Sequence, residues 1–398
     1  MLLLHNTVRA YAWGARDGLA EIVGTAPSGG PEAELWVGTH PGAPSTVVGD
    51  PLGRSLAEVV AADPARWLGP DLAGAGHRSL PFLLKVLAIG RPLSLQAHPS
   101  AAQAAVGFAR EEAAGIAIDA PERTYKDPEP KPESLVAVRE TWALCGFRAP
   151  AAAAELVAGL DIGALAPLVD ALVGGGPRAH ADALGWLLHL APPDRSAVAA
   201  VVAEEVADAD PADRLDPRSW VQALAAAFPG DPLCLAPLLL NVVRLGPGES
   251  VHLPAGNLHA YLDGVGVEVM AASDNVLRGG LTPKHVDVEE LLSVLCFEPG
   301  VPPEPVHQDL GDGTSTYDSS EQAYALAVVD PGDGVVEIRP TGPSLLLATG
   351  GSIDLAGPDG GLVIGHGDAA FVPPGEGPLQ VSGPGRLWWA TVGDALPS

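Results

Sequence analysis

The chain has 398 residues, 49 acidic against 22 basic, and a formal net charge of −27. That balance excludes polyanions such as nucleic acid or an anionic membrane surface as partners, while leaving room for a local cationic pocket that takes a small anion. At 47% hydrophobic and 18% charged residues the chain can bury a sizeable core, and no run approaches the roughly 20 apolar residues of a membrane span.

The opening segment, MLLLHNTVRAYAWG, has no basic stretch followed by an apolar core, so no secretory signal is expected. Cys145, Cys234 and Cys296 are far apart and form no CxxC, which points to reduced, buried thiols and a cytoplasmic protein. Residues 1–148 hold short strand-like runs at Ala33–Val37, Leu80–Val86, Pro92–Gln96 and Leu135–Val138, divided by Pro and Gly turns in a manner that suits antiparallel pairing. A helix is predicted over Ala101–Ala114, opening after Ser100 as its cap. Residues 149–234 change character: alanine- and leucine-rich stretches with helical spacing predict a bundle of about five helices, and its His180 and His189 read as structural or exposed. The β pattern returns from Leu235, is interrupted by a predicted helix at Val288–Leu295, and continues as short strands through 300–398.

One internal repeat stands out. Gly248-x5-Pro254-x-Gly256 is followed by His259, and Gly367-x5-Pro373-x-Gly375 is followed at the same distance by Pro378. A strand, a tight Pro/Gly turn and a returning strand would aim the last side chain inward. His is a metal-ligand type and Pro is not. The expected fold is therefore mainly β with a helical domain: a cupin-like jelly-roll barrel from 1–148 and 235–299 that binds metal, a helical insertion over 149–234, and a degenerate cupin-like barrel over 300–398.

Chemistry concentrates in three places. Gln96 and His98 are two residues apart after an apolar run and would share one face of a strand, with Ser94 on the same side. Lys126-Asp-Pro-Glu-Pro-Lys131-Pro-Glu133 holds two of only four lysines in a proline-stiffened segment. His259, Tyr261, Glu268, Asp274, Arg278 and Lys284 crowd a third stretch, a poor recipe for a core and a good one for a lined pocket. Lysines that persist in so arginine-biased a chain are themselves suspects. Only Lys85, within LPFLLKVL, has no evident place: it could reach a pocket or snorkel to the surface.

These segments, together with YAWG (Tyr11–Gly14), ELWVGTHP (Glu34–Pro41), LPFLLKVL (Leu80–Leu87), LSLQAHP (Leu93–Pro99), YKDPxxKPE (Tyr125–Glu133), LCGFR (Leu144–Arg148), LPAGNLHAYL (Leu253–Leu262) and ASDNVLRGGLTPKHVDVEEL (Ala272–Leu291), resemble the type I mannose-6-phosphate isomerase (phosphomannose isomerase) family. The match runs in the family's order through residues 1–295; residues 300–398 match only in general character. The resemblance implies reversible conversion of mannose 6-phosphate to fructose 6-phosphate. It also implies one Zn2+ per chain, or another divalent metal, on Gln96, His98, Glu133 and His259. Arg278 would stabilise an enediolate or guide the sugar. Glu268, Lys131, Lys284 and Asp274 are the acid–base candidates, unranked. Lys284 and Ser94 are candidates for the substrate phosphate, Tyr261 and Trp13 for the sugar; Trp13 and Trp36, each able to stack on a sugar face, read first as core aromatics.

In one departure, Glu129-Pro130 stand where the family commonly has Asn-His before Lys-Pro-Glu; His285 is a speculative substitute for that histidine. The implied partner is a small sugar phosphate, with no nucleic acid and no membrane, and the chain is expected to be a monomer. Two other readings remain: a non-catalytic sugar-phosphate-binding cupin, and an Fe(II) cupin oxygenase.

Overall fold

The structure is a computed structural model and describes residues 1–301 and 304–396. It is mainly β, with three antiparallel sheets of ten, eight and four strands and a helical portion between residues 150 and 239.

The hub of the ten-stranded sheet is one 13-residue strand, His259–Ala271. Its second half pairs on one side with Phe82–Ile89 and on the other with Glu133–Ala137. Its first half changes partners, pairing with Leu95–Ala97 and Thr141–Phe147. The switch occurs at a register shift between Tyr261 and Asp263, next to Gly264. Gly264 has φ +125°, and a Cβ there would lie 2.5 Å from the Thr141 Cα, so the bend requires glycine. A single strand thus serves two walls, with His259 on one and Glu268 on the other.

Both outer faces of this sheet are covered. Helices Pro150–Ala158, Ala166–Gly174, Ala179–His189, Pro192–Glu205 and Pro217–Ala227 share a core with Leu95, Leu144, Leu258 and Leu277. On the opposite side Val136, Val265, Val267 and Val269 pack against Leu326, Leu345, Phe371 and Trp388 of the eight-stranded sheet. Leu346, Ala348 and Trp389 point the other way, into a core shared with the four-stranded sheet. Strand Ser344–Thr349 is apolar without alternation because both of its faces are buried. The eight-stranded sheet is built from residues 306–391 and from Leu2–His5 and Thr46–Val47, with Leu2–His5 paired to Ala369–Val372.

The internal repeat is the same backbone twice. Gly248 and Gly256 have φ +85° and +77°, and Gly367 and Gly375 have +86° and +79°. Each copy places its strand, Ser250–Leu253 or Ala369–Val372, immediately before the turn.

Several elements differ from their predicted bounds. The helix after Ser100 runs Ala101–Ala113, with Ser100 and Gln103 forming a reciprocal cap. The strand expected at Pro92–Gln96 is Leu95–Ala97, because Pro92 lacks the N–H a ladder needs. Short helices at Gly18–Val23, Leu56–Ala62, Pro64–Leu68 and Pro70–Gly74 were not expected. They are one or two turns long, too brief for helical spacing to emerge, and two start on a proline that sequence patterning reads as a break.

Among the described residues no helix is long and apolar enough to cross a membrane.

Candidate metal centre and active-site cleft

The two walls enclose a cavity of about 210 Å3 lined by Gln96, Glu133 and His259 together with Lys85, Lys131 and Glu268. Strand register fixes the arrangement. His259 lies opposite Gln96, Arg278 opposite Gln96 on its other side, Met270 opposite Glu133, and Glu268 opposite Lys85.

His98, Glu133 and His259 are buried, and one donor atom from each lies within 4.8 Å of the others. His98 Nδ1 is 2.8 Å from the Asn275 carbonyl and His259 Nδ1 is 3.1 Å from the Asn257 carbonyl. Each imidazole therefore donates through Nδ1 and turns the Nε2 lone pair inward, the arrangement metal-bound histidines adopt. His98 Nε2 is 3.3 Å from Glu133 Oε2, yet it is buried without a sound hydrogen bond. His259 Nε2 is 3.6 Å from the same oxygen. Two imidazole nitrogens and a carboxylate, with the Gln96 amide beside them, suit Zn2+ and would also accept other divalent ions. Burial, then the Lys131 charge, lowers the His98 pKa to about 4, so its imidazole is neutral at neutral pH.

The charges around this set do not balance. Asp274 on the cavity wall pairs with His40, and the remaining carboxylates, Glu34, Glu133 and Glu268, face two ammonium groups, Lys85 and Lys131. Lys131 pairs with Glu133, and Lys85 lies 3.4 Å from Glu268 and over the Trp36 ring. Burial alone would push the Glu133 pKa up, but the Lys131 ammonium outweighs it and holds it well below the usual range. Burial likewise pulls against the Lys85 charge, yet Glu34, Glu268 and Glu133 keep that ammonium protonated. One carboxylate is left in excess, and in a dry site a proton relieves it. That carboxyl is Glu268, raised to about 7 by burial and by the Glu133 charge. A divalent cation at the donor set would offset Glu133 and lower Glu268 again.

A larger cavity of about 920 Å3 shares Gln96, Tyr11 and Val276 with the first and holds Ser94, Trp13, Arg278 and Lys284. Arg278 is half-buried, and among the described residues neither it nor Lys284 has an ion-pair partner. Burial lowers the pKa of both, and Arg278 lowers Lys284 further, so the two cations are neighbours. Trp13 stacks on Tyr11 with ring centroids 6.0 Å apart. The Tyr261 hydroxyl lines the inner cavity, buried and without a hydrogen-bond partner.

A polar clamp joins the two sequence segments that carry most of these groups. Asn275 Oδ1 accepts from the Lys126 N–H at 2.7 Å, and its Nδ2 donates to the carbonyls of Asp127 at 2.7 Å and Glu129 at 2.8 Å. Asp127 accepts from Ser273 Oγ at 2.8 Å and from the Asp274 N–H at 2.9 Å. Asp274, held 3.3 Å from His40 Nε2, has its carboxyl lowered by that bond. At the departure from the family pattern Glu129 contributes its carbonyl, while the residue itself is exposed.

The lysines exchange places relative to expectation. Lys126 turns away and donates to the Ile118 carbonyl at 2.7 Å, whereas Lys85, which the sequence could not place, lines the inner cavity. Trp36 lines it too, as do Glu34 and His40, which were not singled out. Their common signal was the ELWVGTH segment, whose alternate residues share a face. His285 lines one depression with Arg110 and Glu122 and another with Arg278, and is not part of the donor set.

Comparison with known proteins agrees with this site. The family model described as phosphomannose isomerase type I, catalytic domain, matches residues 1–150. Mannose-6-phosphate isomerase of Escherichia coli (strain K12) is 36% identical over 394 residues, covering 97% of this chain and 98% of that protein. The Shigella flexneri protein of the same name is 35% identical, with the same coverage. Among solved structures, a zinc-bound mannose 6-phosphate isomerase superposes with a TM-score of 0.89 at 34% identity, covering 98% of this chain and 99% of that one. A mutant phosphomannose isomerase from Salmonella typhimurium superposes equally well. Likeness at this identity, over almost the whole of both chains, establishes that the chain belongs to the type I phosphomannose isomerase family.

Proposed function

We propose that the chain interconverts mannose 6-phosphate and fructose 6-phosphate through an enediol, with one Zn2+ held by Gln96, His98, Glu133 and His259. One observation carries the reading. A buried His–Glu–His donor set lies beside the buried carboxyl of Glu268, paired to Lys85, in a cavity that adjoins Arg278 and Lys284, two cations without an ion-pair partner among the described residues.

In the aldose-to-ketose direction a proton leaves C2 and returns to C1, while the hydroxyl proton moves from O2 to O1. Glu268 is the group we assign to the carbon-bound proton: it lines the cavity as a buried carboxyl held by Lys85, and with the cation in place its carboxylate can accept that proton and return it. Lys85 holds the Glu268 carboxylate in place through their ion pair, and Lys131 does the same for Glu133. Arg278 places a fixed cation where the enediolate oxygens gather charge. Asp274, backed by His40, is positioned to carry the hydroxyl proton during ring opening. Lys284 and Ser94 take the phosphate, Tyr261 supplies its free hydroxyl to the sugar, and Trp13 covers the sugar's apolar face. Bound at its site, the zinc ion would polarise the O1 and O2 oxygens as a Lewis acid.

We read the metal-binding portion, 1–148 with 235–299, as one cupin-like jelly roll, 149–234 as a helical insertion and 300–398 as a second, metal-less jelly roll. The duplicated Pro/Gly turn supports this division. Unpaired thiols at Cys145, Cys234 and Cys296 support a cytoplasmic location.

The test is a coupled assay for fructose 6-phosphate with zinc-loaded protein. Binding of the sugar phosphate without turnover would favour the non-catalytic reading, and substrate-dependent oxygen uptake the oxygenase reading.

A further inference from the structure

Glu133 has a neighbour on the far side of its strand. Leu135 and Ala137 face the core that contains Tyr261, whereas Val136 faces the eight-stranded sheet, and Ser134 points the same way as Val136. Ser134 Oγ lies 3.0 Å from the Tyr324 hydroxyl and 3.1 Å from Nδ1 of His252, its cross-strand partner. That same Nδ1 is 3.1 Å from the Glu133 backbone carbonyl. His252 Nε2 is 3.3 Å from Glu321 Oε1. Glu321 and Tyr324 belong to the loop joining Thr314–Asp318 and Ala325–Val329 of the eight-stranded sheet.

Ser134, His252 and Tyr324 are 2%, 6% and 1% exposed, in an interface otherwise made of Val, Leu, Phe and Trp. Polar groups in such a place cost stability unless each is satisfied, and here each has a partner. The chain they form runs from one sheet to the peptide of a metal ligand and ends there. An apolar quartet would join the two sheets equally well, so adhesion alone does not account for it.

We propose that His252, clamped by Ser134, Tyr324 and Glu321, is a positioning residue for the metal centre. It fixes the Glu133 backbone from the face opposite the cavity, so residues of the C-terminal sheet set how tightly the metal is held. The inference rests on Glu133 being a ligand, as assigned above. It also gives the C-terminal sheet a part in the reaction although it contributes no side chain to the cavity.

The test is zinc affinity, measured by competition with a chromophoric chelator, alongside the melting temperature of the metal-free protein. His252→Gln can still reach Glu321 but presents nothing at the Nδ1 position, so zinc binding should weaken about tenfold, the low end for residues that support ligands. His252→Asn restores a donor near that position and should bind zinc as tightly as the parent. Tyr324→Phe keeps the ring packing and removes one partner of Ser134, so it should weaken binding about threefold even if His252→Gln does not fold. A purely structural role predicts that Gln and Asn lower the metal-free melting temperature alike with zinc affinity unchanged. That result, or parent-like zinc affinity in His252→Gln or Tyr324→Phe, overturns the proposal. Parent-like affinity in Glu133→Gln would instead overturn the ligand assignment, and the coupling with it.

Discussion

Replacing Glu268 with Gln tests the charge imbalance at the centre of the site. The folded carboxyl titrates at about 7 against an ordinary value of 4.5, because it is buried beside Glu133. Between those two values the folded state carries a proton that the unfolded state has lost, so this group's contribution to stability falls as pH rises through that window. The full shift of about 2.5 units corresponds to roughly 3 kcal/mol, of which about 2.5 kcal/mol develops between about pH 5 and pH 8. Gln has the same shape and no such titration. Lys85 stays charged across the whole range and retains Glu34 beside it, so its lost partner adds only a constant. The unfolding free energy of Glu268→Gln relative to the parent should therefore rise by about 2.5 kcal/mol from pH 5 to pH 8 in metal-free protein. Urea unfolding read by tryptophan fluorescence and circular dichroism, with coincident transitions, measures it. Zinc offsets the Glu133 charge and should narrow the gap. A difference that is flat with pH, or of opposite sign, refutes the charge argument.

The other expectations concern single groups. Arg278→Ala should keep its zinc and lose about 10^2–10^3 in kcat/KM, the cost of one fixed oxyanion partner; activity above about a tenth of the parent contradicts the role given to it. Lys284→Ala should raise KM far more than it lowers kcat and weaken inhibition by inorganic phosphate about tenfold, and an effect confined to kcat would move Lys284 into the chemistry. His259→Ala should lose zinc affinity by at least about a hundredfold together with turnover, as metal analysis after dialysis will show. Gly264→Ala, whose Cβ would press on Thr141 at 2.5 Å, should cost about 3 kcal/mol or more, and a parent-like melting temperature would disprove the account of the bend.

Much of the site can be nominated from sequence because its groups lie in compact, polar, proline- or glycine-marked segments. Gln96, Glu133 and His259 each sit in one. Lys85 does not. Its strand, Phe82–Ile89, is buried on both faces, so a lysine within it reads as a side chain escaping to solvent. Its significance lies in the register with Glu268, 183 positions away, which no local pattern encodes. Glu34 is hidden in the same way on the next strand. Lys126 shows the converse: it shares a charged segment with Lys131, but two intervening prolines turn it out of the cavity. The mainly β character and the helical portion are legible because their periods differ over long windows. The short helices of the first hundred residues are not, since one or two turns carry no periodicity, and only Leu56–Ala62 and Pro64–Leu68 have a side-chain cap to mark them.

The placement of Leu2–His5 inside the eight-stranded sheet bears on how the chain is made. These residues leave the ribosome long before Ala369–Val372, against which they pair. At ordinary synthesis rates the wait is roughly 20–70 s, with the metal ligands translated long before the sheet behind them can close. During that time Leu2–His5 is an apolar segment without its partner and a target for chaperones. Cutting the chain near residue 300 would leave each fragment with an open strand edge, so the two fragments should recover order mainly by finding each other.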